Sequence, residues 1–132
     1  MKTLKDIITD CAEYMGWSVR FYMGKSEYAE FSKRSPAGED FSFIVCFDRL
    51  SQIPYLVNDY YKSFDIDEHV KMWLDAKANG VADVPGVVEL VQDAQYIDND
   101  ILQLSSALGG AFSNEDVRKL VLAEDNDEEK TV

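Results

Sequence analysis

The sequence predicts a single α+β domain with an N-terminal helix, a three-stranded antiparallel sheet, three to four further helices including one long helix, and a disordered acidic C-terminal tail. Three observations predict it. A helical pattern opens the chain, three alternating segments separated by turn residues follow, and beyond residue 50 the apolar residues recur at helical spacing. The length of 132 residues fits one domain, and 46% hydrophobic residues suffice for a core despite a net charge of −12.

The first 50 residues predict the first helix and the sheet. In "TLKDIITDCAEYMG" the spacing predicts a helix over about 3–15, with Thr3 as N-cap and Gly16 as stop. "WSVRFYM" and "YAEFSKR" both alternate, and the turn "GKSE" between them indicates a hairpin. The clearest strand is "FSFIVCFD", which places four apolar residues on one face: Phe41, Phe43, Val45 and Phe47.

Two helices are predicted next. Asp48 or Ser51 can cap a helix through "QIPYLVNDYYKSF", in which Pro54 falls in the tolerant first turn. The following segment, "DIDEHVKMWLDAKANG", begins with Asp65 as N-cap and has Glu68 three residues later, a variant of the capping box. Gly80 supplies the expected stop of this second helix.

The long helix is predicted over "DVPGVVELVQDAQYIDNDILQLSSALGG", with Asp83 as N-cap, Pro85 in the first turn and Gly109 as terminator. Its apolar residues recur at alternating spacings of 3 and 4, and we call them the seam: Val87, Leu90, Ala94, Ile97, Ile101, Leu104 and Leu108. The seam either covers the apolar face of the sheet, or pairs with a second copy in a homodimer or with the helix of a partner protein. We favour the first, because a single domain needs such a cover.

The chain ends in a short helix and an acidic segment. "NEDVRKLVLAE" is predicted to be helical, with Ser113 as its cap. "EDNDEEKTV" is acidic and almost without apolar residues, which is typical of disorder. These patterns predict one domain over 1–123 and a disordered tail over 124–132.

The negative charge lies almost entirely in the second half of the chain. Residues 1–64 hold 8 Lys and Arg against 9 Asp and Glu, whereas residues 65–132 hold 5 against 16. Binding to nucleic acid through its phosphates needs clustered Lys and Arg, so this half does not bind nucleic acid directly. It suits a basic partner instead.

The only histidine, His69, lies beside Asp65, Asp67 and Glu68. A calcium loop starting at Asp65 would need an oxygen ligand at the fifth position and glycine at the sixth, where the chain has His69 and Val70. A helix cap with an acidic first turn accounts for the same residues. We therefore predict a helix start here and no metal site.

No pattern in the chain indicates catalysis or a cofactor. Nucleotide-binding glycine motifs, the serine hydrolase motif and the HExxH motif are all absent from the sequence. Cys11 and Cys46 lack CxxC spacing, and we predict both to be reduced thiols in the core. A hydrolase or metal-dependent enzyme stays the weaker alternative to a protein without catalytic activity.

An acidic stripe on the long helix supplies the candidate binding residues. Glu89, Asp93, Tyr96, Asp100 and Gln103 follow one another at spacings of 4, 3, 4 and 3. The first two are about 6 Å apart along the axis and Asp100 is about 10 Å further, which is of the order of phosphate spacing in nucleic acid. We predict partner contacts at Glu89, Asp93, Tyr96 and Asp100, with secondary contacts at Asp65, Asp67 and Asp75. The alternative is a solvated helix face.

The order of a helix, a three-stranded meander and acidic helices, from "MKTLKDIITDCAEYMGWSVRFYMG" through "FDIDEHVKMWL", resembles that of small acidic phage and mobile-element proteins of the anti-CRISPR or antirestriction type. Several of these proteins mimic nucleic acid and occupy the DNA-binding groove of a defence nuclease. The resemblance implies an inhibitor without catalytic activity that acts on a CRISPR effector or a restriction enzyme. The alternative is a protein-interaction or homo-oligomerisation module of a mobile element.

The N-terminal "MKTLKDIITD" intersperses charges from the start and contains no continuous apolar run. It therefore has the pattern of neither a secretory signal nor a membrane span. We expect the protein to act in the cytoplasm of a bacterial host.

Overall fold

The computed structural model describes residues 2–36, 40–78 and 87–130. The predicted α+β architecture is confirmed. The helices are α1 (Leu4–Tyr14), α2 (Ile53–Ser63), α3 (Ile66–Ala78), α4 (Val87–Phe112) and α5 (Glu115–Lys130), and the strands are β1 (Ser18–Tyr22), β2 (Tyr28–Arg34) and β3 (Asp40–Cys46). A single 3-10 turn, Leu50–Gln52, leads directly into α2.

Both ends of α1 follow the prediction. The Thr3 hydroxyl accepts a hydrogen bond from the Asp6 N–H at 3.2 Å, and the Asp6 carboxylate accepts one from the Thr3 N–H at 2.9 Å. This reciprocal pair is a capping box. Gly16 follows the helix with a φ of +85°, a conformation that glycine adopts without a steric penalty.

The sheet is an antiparallel meander in the order β1-β2-β3, with helices on one face. Register places Phe31 between Val19 of β1 and Phe43 of β3, so that apolar residues of all three strands share the inner face. Phe31 is fully buried and Phe43 is nearly so, whereas Ile44 on the outer face is 51% exposed. The predicted alternation of β3 is thereby confirmed.

The ends of α2 and α3 are stabilised by different means. Asp65 caps α3 as predicted, because its carboxylate accepts a hydrogen bond from the Glu68 N–H at 3.2 Å. Neither Asp48 nor Ser51 caps α2, and that prediction is wrong. The Gln52 side chain instead accepts from the Asp48 N–H at 2.9 Å, while the Glu124 carboxylate accepts from the N–H groups of Leu50 and Ser51. The predicted Gly80, Asp83 and Pro85 lie outside the described residues.

Helix α4 ends later than predicted, because it continues through Gly109 and Gly110 to Phe112. Each glycine costs a helix about 1 kcal/mol relative to alanine. Phe112 packs against the hydrophobic core, and this contact offsets the cost. The cap of α5 also differs from the prediction, since the Asn114 side chain, not that of Ser113, accepts from the Asp116 N–H at 2.9 Å. The Ser113 hydroxyl donates instead to the Gly110 carbonyl.

The described seam residues of α4 are buried in two hydrophobic clusters. Leu90 and Ala94 pack with Val70 of α3 in a small cluster. The last four seam residues join the main core, which also contains the inner face of the sheet: Ile97, Ile101, Leu104 and Leu108. The last four seam residues thus pack with the sheet as predicted, whereas Leu90 and Ala94 pack on α3 instead, and these six side chains are not available to a second copy. The Val87 side chain lies outside the described ones.

A charged pair lies between the sheet and α4. Lys33 follows Ala29 and Phe31 on the inner face of β2, and its Nζ is 2.6 Å from the Asp100 carboxylate of α4. The Lys33 and Asp100 side chains are 17% and 11% exposed. The same ammonium lies 5.8 Å from the ring centroid of Trp17 and 5.4 Å from that of Tyr96. Lys33 therefore ties α4 to the sheet by charge and by cation–π contacts.

The backbone of α5 continues through Lys130 and so enters the acidic segment 124–132. Glu124 itself bonds to the 3-10 turn before α2, as described above. That the rest of this segment is a disordered tail stays a prediction, as do the boundaries 1–123 and 124–132.

We expect Asp100→Ala to lower the free energy of unfolding by about 3 to 5 kcal/mol, because it leaves the Lys33 ammonium buried without its carboxylate. The double variant Lys33→Met/Asp100→Leu should recover most of this loss, since it removes both charges. Urea unfolding followed by circular dichroism measures both. Asp98→Ala, two residues away and half-buried, is the control and should cost less than 1 kcal/mol. A similar loss in Asp98→Ala and Asp100→Ala would refute the role of the pair.

We expect Gly109→Ala and Gly110→Ala each to raise the free energy of unfolding by about 0.5 to 1 kcal/mol. Both glycines lie within α4, and an added Cβ meets no atom within 4 Å. Gly16→Ala is the contrasting variant, because φ is +85° there and the Cβ would lie 3.3 Å from Lys33 Nζ. Its free energy of unfolding should fall by about 1 kcal/mol or more. Destabilisation by Gly109→Ala would mean that α4 ends where the sequence predicts.

Candidate partner-binding surface

The seven predicted contact residues do not form one surface. Five are exposed at the side chain, with Tyr96 at 43%: Asp65, Asp67, Asp75, Glu89 and Tyr96. The other two, Asp93 and Asp100, are only 5% and 9% exposed. The prediction that they lie on an exposed stripe is wrong.

Asp93 and Asp100 are buried because they flank the seam. Both come directly before a seam residue, Ala94 and Ile101 respectively. In a globular protein the buried face of a helix is wider than a stripe of residues at alternating spacings of 3 and 4. Positions beside the seam are therefore covered when several elements pack on the helix. Here α1, α2 and α3 all pack on α4, and Lys33 of the sheet reaches Asp100.

Glu89 is exposed but lies away from the acidic residues of α3. Leu90, Val91 and Ala94 form the side of α4 that packs with Val70 of α3. At 100° of rotation per residue, Glu89 is about 150° around the helix from the centre of that contact. The acidic residues of the two helices therefore face different directions.

The outer face of α3 is the described surface on which predicted contact residues gather. Asp67 and Asp75 are exposed, and so are Glu68, Lys71 and Met72 between them. Lys71 is four residues from each aspartate, the spacing at which side chains of opposite charge attract. The face remains acidic, with three carboxylates against one ammonium.

A cavity of about 350 Å³ opens at the first turn of α3. Its wall includes residues of β3, α2 and α3: Asp40, Phe41, Ser42, Tyr60, Ser63, Phe64, Asp65, Glu68, His69 and Met72. Sequence reasoning missed Asp40, Tyr60 and Phe64 as parts of a site. The signal that could have found them is the aromatic density of "EDFSF" and "DYYKSF", next to the acidic start of α3.

Aromatic rings fix the shape of this cavity. The His69 ring lies 5.6 Å from that of Phe41 and 5.4 Å from that of Phe64. Tyr60 stacks on Phe43 of the core, with ring centroids 4.3 Å apart and planes 7° from parallel. Burial raises the pKa of the Tyr60 hydroxyl. His69 is thus half-buried among aromatic rings, at the edge of the core.

Within residues 2–36, 40–78 and 87–130, no three His, Cys, Asp or Glu side chains come together in a group that could hold a metal ion. The two cysteines differ from each other. Cys11 is half-buried, and burial raises the pKa of its thiol, which disfavours the reactive thiolate. Cys46 is exposed on the outer face of β3, so its predicted place in the core is wrong. It shares that face with Ser42 and Ile44, because side chains alternate along a strand.

No known protein family matches the chain, and neither does any curated protein or solved structure. Among the described residues, none of the helices is long and apolar enough to cross a membrane.

We expect Asp93→Lys to lower the free energy of unfolding by about 3 kcal/mol or more, because it places an ammonium where a buried carboxylate lies. Glu89→Lys, the same change on the exposed side of the same helix, should alter it by less than about 0.5 kcal/mol. Thermal unfolding of the two variants side by side makes the comparison. Equal stability of both would show that Asp93 is on the surface after all.

Proposed function

We propose that this protein is an inhibitor without catalytic activity, which docks its acidic surface into the basic nucleic-acid-binding groove of a bacterial defence nuclease. The observation that carries the proposal is the charge distribution. Residues 65–132 contain most of the excess of Asp and Glu in a chain of net charge −12, and the described carboxylates of α3 are exposed to solvent.

The acidic face of α3 supports binding to a basic surface. Asp67 and Asp75 are eight residues apart, which is about 12 Å along the helix. An array of like charges at fixed separation attracts a groove that has evolved to bind phosphates, and it steers the two proteins together. Like charges also repel one another within the protein, so a partner that neutralises them recovers that free energy.

Duplex DNA carries one charge per about 1.7 Å of its axis, which is denser than α3 alone. A groove contact therefore needs carboxylates of other elements too. Glu115 and Asp116 in the first turn of α5 are exposed, and further acidic residues follow at 125–129. The exposed Tyr96 belongs to a residue type that is enriched at protein interfaces.

The resemblance to anti-CRISPR and antirestriction proteins supports the nuclease as the kind of partner. Several of those inhibitors occupy a DNA-binding groove, a mode of action that needs no catalytic residues, and the sequence contains no catalytic motif. The cytoplasm of a bacterial host is where such a partner would act.

The alternative is a protein-interaction or homo-oligomerisation module. A homodimer formed through the seam is disfavoured, because Leu90, Leu104 and Leu108 are already buried within the chain. A homodimer through another surface would appear as a doubled mass in light scattering. A monomeric mass that does not change with concentration would remove the homo-oligomerisation form of this alternative.

We expect the tagged protein to capture a nucleic-acid-binding nuclease from a bacterial lysate at low salt and to lose it at moderate salt, since exposed charges are screened over about 10 Å at 0.1 M. In a DNA-cleavage assay with the captured nuclease, the protein should inhibit. Asp67→Lys/Asp75→Lys should weaken inhibition by about tenfold or more.

The control variant, Glu13→Lys/Asp59→Lys, reverses the charge at two exposed positions on other helices. It therefore changes the net charge by the same amount. It should leave inhibition nearly unchanged. Equal weakening by both pairs would mean that only the total charge matters and that α3 is not the contact surface. Capture that is insensitive to salt would contradict the proposed mimicry.

A further inference from the structure

We propose that the cavity at the first turn of α3 holds the guanidinium group of an arginine side chain presented by the basic partner. This inference rests on the proposed function, because it names the group of the partner that the acidic surface recognises. It adds a defined pocket to a surface that is otherwise described only by its charge.

The aromatic rings of the cavity suit a planar cation. Phe41, Phe64 and Tyr60 line it together with the His69 imidazole. Phe64 meets Phe41 edge to face, with centroids 5.8 Å apart, and Tyr60 is held by its stack on Phe43. Rings held in this way need little further ordering when a ligand packs against them. Guanidinium stacks on such faces more readily than ammonium does.

Three carboxylic acid side chains line the described wall of the cavity. Asp40, Asp65 and Glu68 line it, and the described residues of its wall include neither Lys nor Arg. The larger cavities differ in this respect, since one of about 850 Å³ includes Arg118 and one of about 1190 Å³ includes Lys25 and Arg49. Arg34 lies directly across the strand ladder from Asp40, so α3 contributes the carboxylates that are more available to a ligand.

The volume of the cavity and the separate origins of its carboxylates favour an organic cation over a metal ion. A volume of about 350 Å³ is within the range of small-molecule sites. The carboxylates come from β3, from the residue before α3 and from α3 itself, and they do not form a metal-binding group among the described residues. Asp65 also caps α3, which leaves Glu68 as the carboxylate best placed to pair with a guanidinium.

The test uses the full chain, labelled with ¹⁵N, and two short peptides. One is acetyl-Gly-Arg-Gly-amide, and the other replaces arginine with citrulline, its uncharged isostere. We expect saturable shifts with the arginine peptide at the backbone amides of Ser42, Ser63 and His69, and none with the citrulline peptide. Glu68→Gln should lower the affinity for the arginine peptide by roughly threefold to tenfold.

Asp67→Asn is the matched control, because Asp67 is adjacent to Glu68, is exposed and does not line the cavity. It should change the affinity by less than twofold. Equal shifts with both peptides, or equal weakening by both variants, would overturn the assignment. The peptide assay needs no nuclease, so arginine binding without capture of a basic partner would refute the proposed function and leave the cavity assignment standing.

Discussion

The contact between Lys33 and Asp100 links α4 to the sheet and constrains the rotation of that helix about its axis. Lys33 is on the inner face of β2, where the two preceding inward positions, Ala29 and Phe31, are fully buried. A lysine at that position would be costly without a partner, and Asp100 supplies the carboxylate at 2.6 Å while Trp17 and Tyr96 supply aromatic rings. Only one rotation of α4 places Asp100 opposite Lys33. The same rotation of α4 about its axis directs the seam residues toward the core. The ion pair and the apolar packing therefore favour the same orientation of α4.

This arrangement divides the carboxylates of the acidic half into two groups with different roles. Asp93 and Asp100 are inside and belong to the packing of the domain, and Glu124 binds the backbone before α2. Asp67, Glu68 and Asp75 are outside on α3, where their charge is available to another molecule. The net charge of −12 therefore overstates the acidic surface. Among the exposed carboxylates, those at the first turn of α3 adjoin a cavity that is lined by aromatic rings.

The features that the sequence predicts correctly have local causes. Thr3 and Asp65 cap helices through hydrogen bonds to residues three positions away, and the seam and the alternation of β3 are periodic patterns. The features that it misses depend on distant contacts. Asp100 is paired with Lys33, which lies more than 60 residues earlier in the chain, and Asp93 is covered because several helices pack on α4. The continuation of α4 past Gly109 requires a core contact for Phe112, and the cavity joins residues of β3, α2 and α3. No periodicity within one element reveals such contacts.

The proposed function depends on which carboxylates are exposed and which are buried in the fold. Carboxyl footprinting measures the exposure of each one. The folded protein is treated with a water-soluble carbodiimide and a neutral amine, and the modified positions are identified by mass spectrometry. We predict rapid modification at Asp67, Glu68, Asp75 and Glu89, and protection at Asp93 and Asp100 that disappears in urea. Modification of Asp93 and Asp100 at the rate of Glu89 in the folded protein would contradict the account, since α4 would then present the continuous acidic stripe that its spacing suggests.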